Sequence, residues 1–325
     1  MTTVQPKAGS RLAVTAMPTW GLGLGVLIVL LVLASVSDFV GKSLVLGATE
    51  NAPLVLAALG FALLYRLTGL LNVAYAETVT LGGYFSIWIT STFGIGFAAA
   101  VIPAGVLAGL LSMATYLTVF RPARQRRVEG LELIVISFGL ALFLRHALQF
   151  VFGFKTRTFD LPPAQTVTIF DTGVPSYLVL AVVSVAVLAT AIYQFIRRTS
   201  YGLQIRALAG NEGLAMATGV RPLSVTLLIW FVAGLAGGLA GSFYGVGSAV
   251  VPLLGARQLL LILLIVLVGG IWDLIGVLWV GVATGIALSA MTLQWNSQIA
   301  QLILIIVFLG ILRFRGGRLS AGSKV

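Results

Sequence analysis

The feature that most constrains this chain is a series of apolar runs, each long enough to cross a bilayer and nearly empty of charge. Residues 223–246 contain no Asp, Glu, Lys or Arg. A helix needs about 20 such residues to span the hydrocarbon core. Barrel strands would alternate apolar and polar residues, and these runs do not alternate. Charged residues make up 9% of the chain and hydrophobic ones 59%, against about 25% charged in a soluble domain. The composition therefore predicts an all-α, polytopic transmembrane helix bundle. The 38 glycines argue for close helix approach within it.

The apolar segments are residues 20–36, 44–65, 70–92, 95–120, 133–152, 175–196, 223–246, 257–271, 274–291 and 297–312. They give about ten spans, with roughly eight as the lower bound because the last short segments can be merged. Residues 20–36 follow Lys7 and Arg11 and lack a small-residue cleavage site, so they are expected to be a retained first span. The division is a cytoplasmic tail over residues 1–19, a membrane domain over 20–312 and a basic cytoplasmic tail over 313–325. Basic clusters stand in the two tails, at residues 121–127 and at residues 197–221. The positive-inside rule puts all of them on the cytoplasmic side, and an even number of spans separates each pair. The net charge of +11 is this pattern, not the footprint of a nucleic-acid partner.

Several chemistries are excluded. The chain has no cysteine and one histidine, His146, so neither a thiolate nor a multi-histidine metal centre is available. Gly41-Lys42-Ser43 ends like a phosphate-binding loop, but Val36 stands where its first glycine is needed. No hydrolase or metalloprotease motif is present. A catalytic residue, a metal and a cofactor are all unexpected.

The polar stretch 197–222 carries Arg197, Arg198, Arg206, Glu212 and Arg221. Asn211 is placed to cap a short helix, Glu212 opens it, Ala215 lies within it, Gly219 stops it and Pro222 follows. Such a helix on a basic loop is either a structured connector or an element presented to a partner. Intramembrane charges cost about 2.5–3.5 kcal/mol each at a helix centre and default to functional candidates. Asp273 falls at a turn, Glu50 near a helix end, and Arg145 and His146 close enough to an interface to snorkel. Glu77, with Asn72 before it and Gly82-Gly83 after it, is the strongest candidate for a wet surface or a buried hydrogen-bonded contact. Gly234, Gly237, Gly238, Gly241 and Gly245 form overlapping small-xxx-small patterns.

The run Gly69-Leu70-Leu71-Asn72-Val73-Ala74-Tyr75-Ala76-Glu77, followed by Leu81-Gly82-Gly83-Tyr84, resembles a signature of the branched-chain amino acid permeases of ABC importers, roughly G-x-x-N-F-A-x-G-E…G-x-Y. Tyr201-Gly202, Arg206-Ala207, Asn211-Glu212, Ala215 and Gly219-Val220 resemble that family's cytoplasmic loop. Ala233-Gly234-Leu235-Ala236-Gly237 and Val268-Gly269-Gly270 resemble its glycine-rich later spans. Val73, Tyr75, Ala76 and Trp272-Asp273 depart from the pattern.

The resemblance implies a non-hydrolytic permease subunit in a bacterial inner membrane. It would pair with a second permease, alike or different, with two cytoplasmic ATPases and with an external solute-binding protein. Its solute would be a branched-chain amino acid or a similar small organic molecule. The loop 197–222 would contact the ATPase through Arg206, Asn211, Glu212, Ala215, Gly219 and Arg221. The cost of a lipid-facing carboxylate, not the resemblance, places Asn72 and Glu77 near the translocation path as an expectation. The competing reading is a self-sufficient channel or secondary carrier for a small polar solute, with Glu77 as its coupling or selectivity group.

Overall fold

A computed structural model describes residues 38–319, apart from residues 129, 161–164, 170–171 and 272. The expected first span over residues 20–36 and most of the two tails lie outside the described residues. In chain order the elements are α1 (Asp38–Glu50), α2 (Ala52–Thr68), α3 (Tyr75–Phe93), α4 (Phe97–Thr115) and α5 (Arg121–Gln125), followed by α6 (Leu131–Phe152). A hairpin of β1 (Thr166–Ile169) and β2 (Thr172–Pro175) comes next, then α7 (Ser176–Arg198), α8 (Ser200–Gly210) and α9 (Glu212–Ala217). The chain continues with α10 (Pro222–Gly247), α11 (Leu254–Gly269), α12 (Leu274–Thr292) and α13 (Ser297–Leu319). The protein is thus an all-α polytopic membrane bundle.

Among the described residues, five helices are long and apolar enough to cross a membrane, and six if the bent pair α1–α2 counts as one. The expected count of about ten is therefore not reached by length and hydropathy alone. Leu254–Gly269 is a shorter apolar helix, and α3 carries the charge of Glu77 within its first turn.

The boundaries correct the sequence reading in three places. Residues 44–65 are not one straight helix: α1 and α2 meet at Asn51 with a bend of 48°. Pro53 sits in the first turn of α2, where its missing N–H is tolerated but a continuous helix is not. The Asn51 amide bridges the break by donating to the Gly285 carbonyl and the Ser289 hydroxyl on α12, at 3.2 and 3.3 Å. Residues 70–74 are not helical, and α3 starts only at Tyr75. Pro103, whose missing N–H is expected to interrupt segment 95–120, does not break the helix. The helix runs through it, passes a π turn at Tyr116–Phe120 and continues into α5. The stretch between α6 and α7 contains the β1–β2 hairpin, paired Thr166 with Pro175 and Ile169 with Thr172. Its Val174 is buried against Val45 and Leu178.

The centre of the bundle is the crossing of α3 and α10. Every residue from Ala74 to Tyr84 is buried. Helix α10 approaches this surface so closely that a methyl group on Gly241 would overlap the Val79 carbonyl, and one on Gly82 would overlap Gly238. Gly237 lies against the Tyr75 ring and Gly245 against Val250. Gly234 and Gly238 face α4, where a methyl group would meet Ser112 and Ala108. The four-residue spacing thus presents one glycine row to α3 and another to α4, which is how small residues let membrane helices pack by van der Waals contact. Ser242 ties the crossing with hydrogen bonds to the carbonyls of Gly82 and Gly238, at 3.1 and 2.9 Å.

Candidate functional site

The first group of candidates lies at the start of α3. Gly69 closes α2 in a left-handed conformation, φ +62°, which glycine adopts without strain. The chain then runs without regular secondary structure to Asn72, whose side-chain oxygen accepts from the Ala74 N–H at 3.1 Å. This turn sets the entry angle of α3 and satisfies one of the amide donors that a helix start leaves without an intrahelical partner. The Val73 N–H is taken by Ser137 of α6 at 3.1 Å. Tyr75 reaches across and donates its hydroxyl to the Ala57 carbonyl at 2.9 Å. Thr80 accepts the Gly255 N–H at the start of α11, at 3.0 Å.

Glu77 follows within the first turn of the helix and is fully buried. Its partner is Arg145 of α6, which donates to Glu77 Oε1 through Nε at 3.1 Å and through Nη2. Arg145 is 20% exposed, so the guanidinium reaches inward from the side of the bundle. Glu77 Oε2 has no hydrogen-bond partner among the described residues. The structure therefore brings Asn72 and Glu77 onto one end of α3 but gives them separate contacts, a helix-start turn and an interhelical ion pair. Neither reaches an open surface of the chain.

Arg145 was expected to snorkel and instead holds a buried carboxylate. Nothing in local sequence pairs it with a residue 68 positions away. The available signal was only that two opposite charges stood in apolar segments. His146, next to it, is exposed and interacts with Gln149 at 3.0 Å. Glu50 is exposed at the end of α1. Asp273 sits at the turn between α11 and α12, where it caps α12 by accepting from the Ile275 N–H at 3.1 Å.

The second group is the segment between α7 and α10. The sequence predicts one short helix there; the structure has two. Thr199 caps α8 by accepting from the Gly202 N–H at 3.1 Å. Gly202 is pressed onto the backbone of Ile196 so closely that any side chain would overlap it. Arg206 donates to the Ile196 carbonyl, fixing α8 against the end of α7. Asn211 ends α8 and caps α9, its side chain accepting from the Leu214 N–H at 3.0 Å. Gly219 terminates the unit at φ +87°, and its N–H donates to the Met216 carbonyl. Arg221 stands immediately before α10, exposed.

Within α9 the orientation is decided by packing. Ala215 is 4% exposed and faces the protein, whereas Leu214 and Met216 are 68% and 51% exposed. An isolated exposed Leu is ordinary. Two flanking an inward-facing alanine, on a short helix between basic residues, make an apolar tip on the two-helix arm.

Comparison with known proteins follows the same residues. A family described as the permease component of branched-chain amino acid transport systems matches residues 43–312. A probable branched-chain amino acid transport permease protein, LivH, of Methanocaldococcus jannaschii is 25% identical over 245 residues, 74% of this chain and 77% of that protein. The high-affinity branched-chain amino acid transport system permease protein LivH of Salmonella typhimurium is 25% identical over 288 residues, 81% of this chain and 91% of its own length. A guanosine ABC transporter permease protein, NupQ, of Bacillus subtilis is 26% identical over 215 residues, covering 59% of this chain and 63% of NupQ.

Proposed function

The chain belongs to the family of permease components of branched-chain amino acid transport systems, and from that premise we propose that it lines the translocation path of a binding-protein-dependent ABC importer. The coarse part of this, a multi-pass, non-hydrolytic ABC permease subunit, rests on the family itself. The finer part is our reading: a path shared with a second permease, two cytoplasmic ATPases, an external binding protein, and residence in a bacterial inner membrane.

The observation that carries the coupling assignment is the α8–α9 arm. An arm that must transmit force has to be stiff where it joins the spans and adhesive at its tip. Gly202 and Arg206 lock its base to α7. Asn211 and Gly219 fix the ends of α9. Leu214 and Met216 then form the docking surface for an ATPase groove, with Ala215 and Arg221 setting their position. Within the path, we assign Asn72 and Glu77 to holding the end of α3 in place beside the solute route.

The solute is a branched-chain amino acid or a molecule of similar size. A nucleoside is the second reading, favoured by the likeness to the guanosine permease. The test is uptake into proteoliposomes holding this chain with its partner permease and ATPases, fed through the binding protein with labelled leucine or guanosine. ATP-dependent uptake of one of them supports the assignment. Uptake at the same rate by this chain alone, without ATPase or ATP, refutes it and establishes the self-sufficient carrier.

A further inference from the structure

A crevice of about 220 Å³ opens where the ends of α2, α7, α8 and α12 meet. Arg66, Arg197 and Arg206 line it together with the Asp273 carboxylate. Three guanidiniums against one carboxylate leave an excess of positive charge. Arg66 belongs to the last turn of α2 and Arg197 to the last turn of α7. Arg197 is held over the Tyr193 ring at 4.7 Å, so its charge stays at the mouth.

The crevice shares part of its wall with a neighbouring cavity. Tyr193, Leu274 and Ile275 also line a second, apolar slot of about 250 Å³, whose remaining wall includes Leu59, Ala189 and Leu278. The spacing on each helix places the two cavities along one track. Leu59 and Arg66 are seven residues apart, about two turns or roughly 10 Å along α2. Ala189, Tyr193 and Arg197 recur every fourth residue and share one face of α7, as Leu274 and Leu278 do on α12.

A cationic mouth at the helix ends with an apolar slot beneath it fits one class of molecule by charge and by polarity gradient. We infer that this track binds an anionic phospholipid of the cytoplasmic leaflet, its phosphate against Arg66, Arg197 and Arg206 and an acyl chain between α2, α7 and α12. Basic pockets between membrane helices on the cytoplasmic side are suited to such headgroups. The sidedness rests on the orientation proposed above. Because Arg206 also fixes the base of the α8–α9 arm to α7, the bound lipid would be part of the joint between that arm and the spans.

The test is lipid retention by the purified full-length chain, delipidated, supplied with equal phosphatidylglycerol and phosphatidylcholine and read by native mass spectrometry. Transport plays no part in it, so its result stands apart from the permease assignment. The parent chain is expected to retain phosphatidylglycerol preferentially. Arg66→Gln with Arg197→Gln should weaken that retention about 25-fold, at about fivefold per arginine, and leave phosphatidylcholine unchanged. Thr190→Trp, at an exposed residue lining the slot, should reduce retention with all three arginines intact. Equal retention of the two lipids, or undiminished phosphatidylglycerol on the double arginine variant, would overturn the inference. So would displacement of the lipid by millimolar inorganic phosphate alone, which would make the site one for a free anion.

Discussion

Breaking the Glu77–Arg145 pair should have unequal consequences depending on which partner is removed. Glu77 is fully buried, and one of its oxygens has no partner among the described residues. Removing the guanidinium in Arg145→Met therefore leaves a buried carboxylate without its counter-charge, a loss of about 3–5 kcal/mol for a broken buried pair. Removing the charge in Glu77→Gln leaves Arg145, which is 20% exposed and can turn toward polar surroundings. That cost should be about 1.5–3 kcal/mol, the range for a hydrogen bond to a charged group. The difference between the single variants is thus expected to be about 2 kcal/mol. The double variant should cost less than the sum of the singles by a comparable amount, because no orphaned charge remains. Helix α6 keeps its Ser137 hydrogen bond to Val73 and its buried Leu133, Ala141 and Leu148, so all three variants should still fold. The assay is equilibrium unfolding in mixed micelles by SDS titration, followed by circular dichroism. The reasoning fails if Glu77→Gln costs as much as Arg145→Met, or if the singles add to the double within about 0.5 kcal/mol.

Leu214→Asp with Met216→Asp should abolish co-purification of the ATPase while leaving the permease's own unfolding curve in place. Ala215→Trp should shift that curve because Ala215 faces inward, and co-purification lost without any such shift would contradict this orientation. Gly241→Ala should cost about 1–3 kcal/mol by overpacking against Val79, whereas Gly139→Ala, where no atom lies near the added methyl, should stabilise by about 0.5–1 kcal/mol; equal unfolding midpoints would argue against the close α3–α10 crossing. In this cysteine-free chain, single cysteines at Arg124 and Gly213 should label from the cytoplasmic side and one at Gln165 only from outside, and cytoplasmic labelling at Gln165 would invert the proposed orientation.

What the sequence determined by itself is the part encoded in neighbouring residues. Apolar runs longer than a bilayer with few charges leave little choice but helices, since in hydrocarbon each backbone group must be satisfied within its own segment. Asn211 as the cap of α9, Gly219 as its stop and Asp273 at the turn before α12 were equally legible, because capping acts over two or three residues. The five glycines of α10 announced a packing surface, though not which neighbour each would meet. Only the tertiary structure decided the rest. Glu77 and Arg145 stand 68 positions apart, and their union depends on how α3 and α6 lie against each other. The inward turn of Ala215, the bend at Asn51 stitched to α12, and the meeting of Arg66, Arg197, Arg206 and Asp273 at one crevice have the same origin. Each sets a side chain against a surface from a distant segment, and in a membrane that surface is chosen by van der Waals fit between whole helices, which no stretch of neighbouring residues contains.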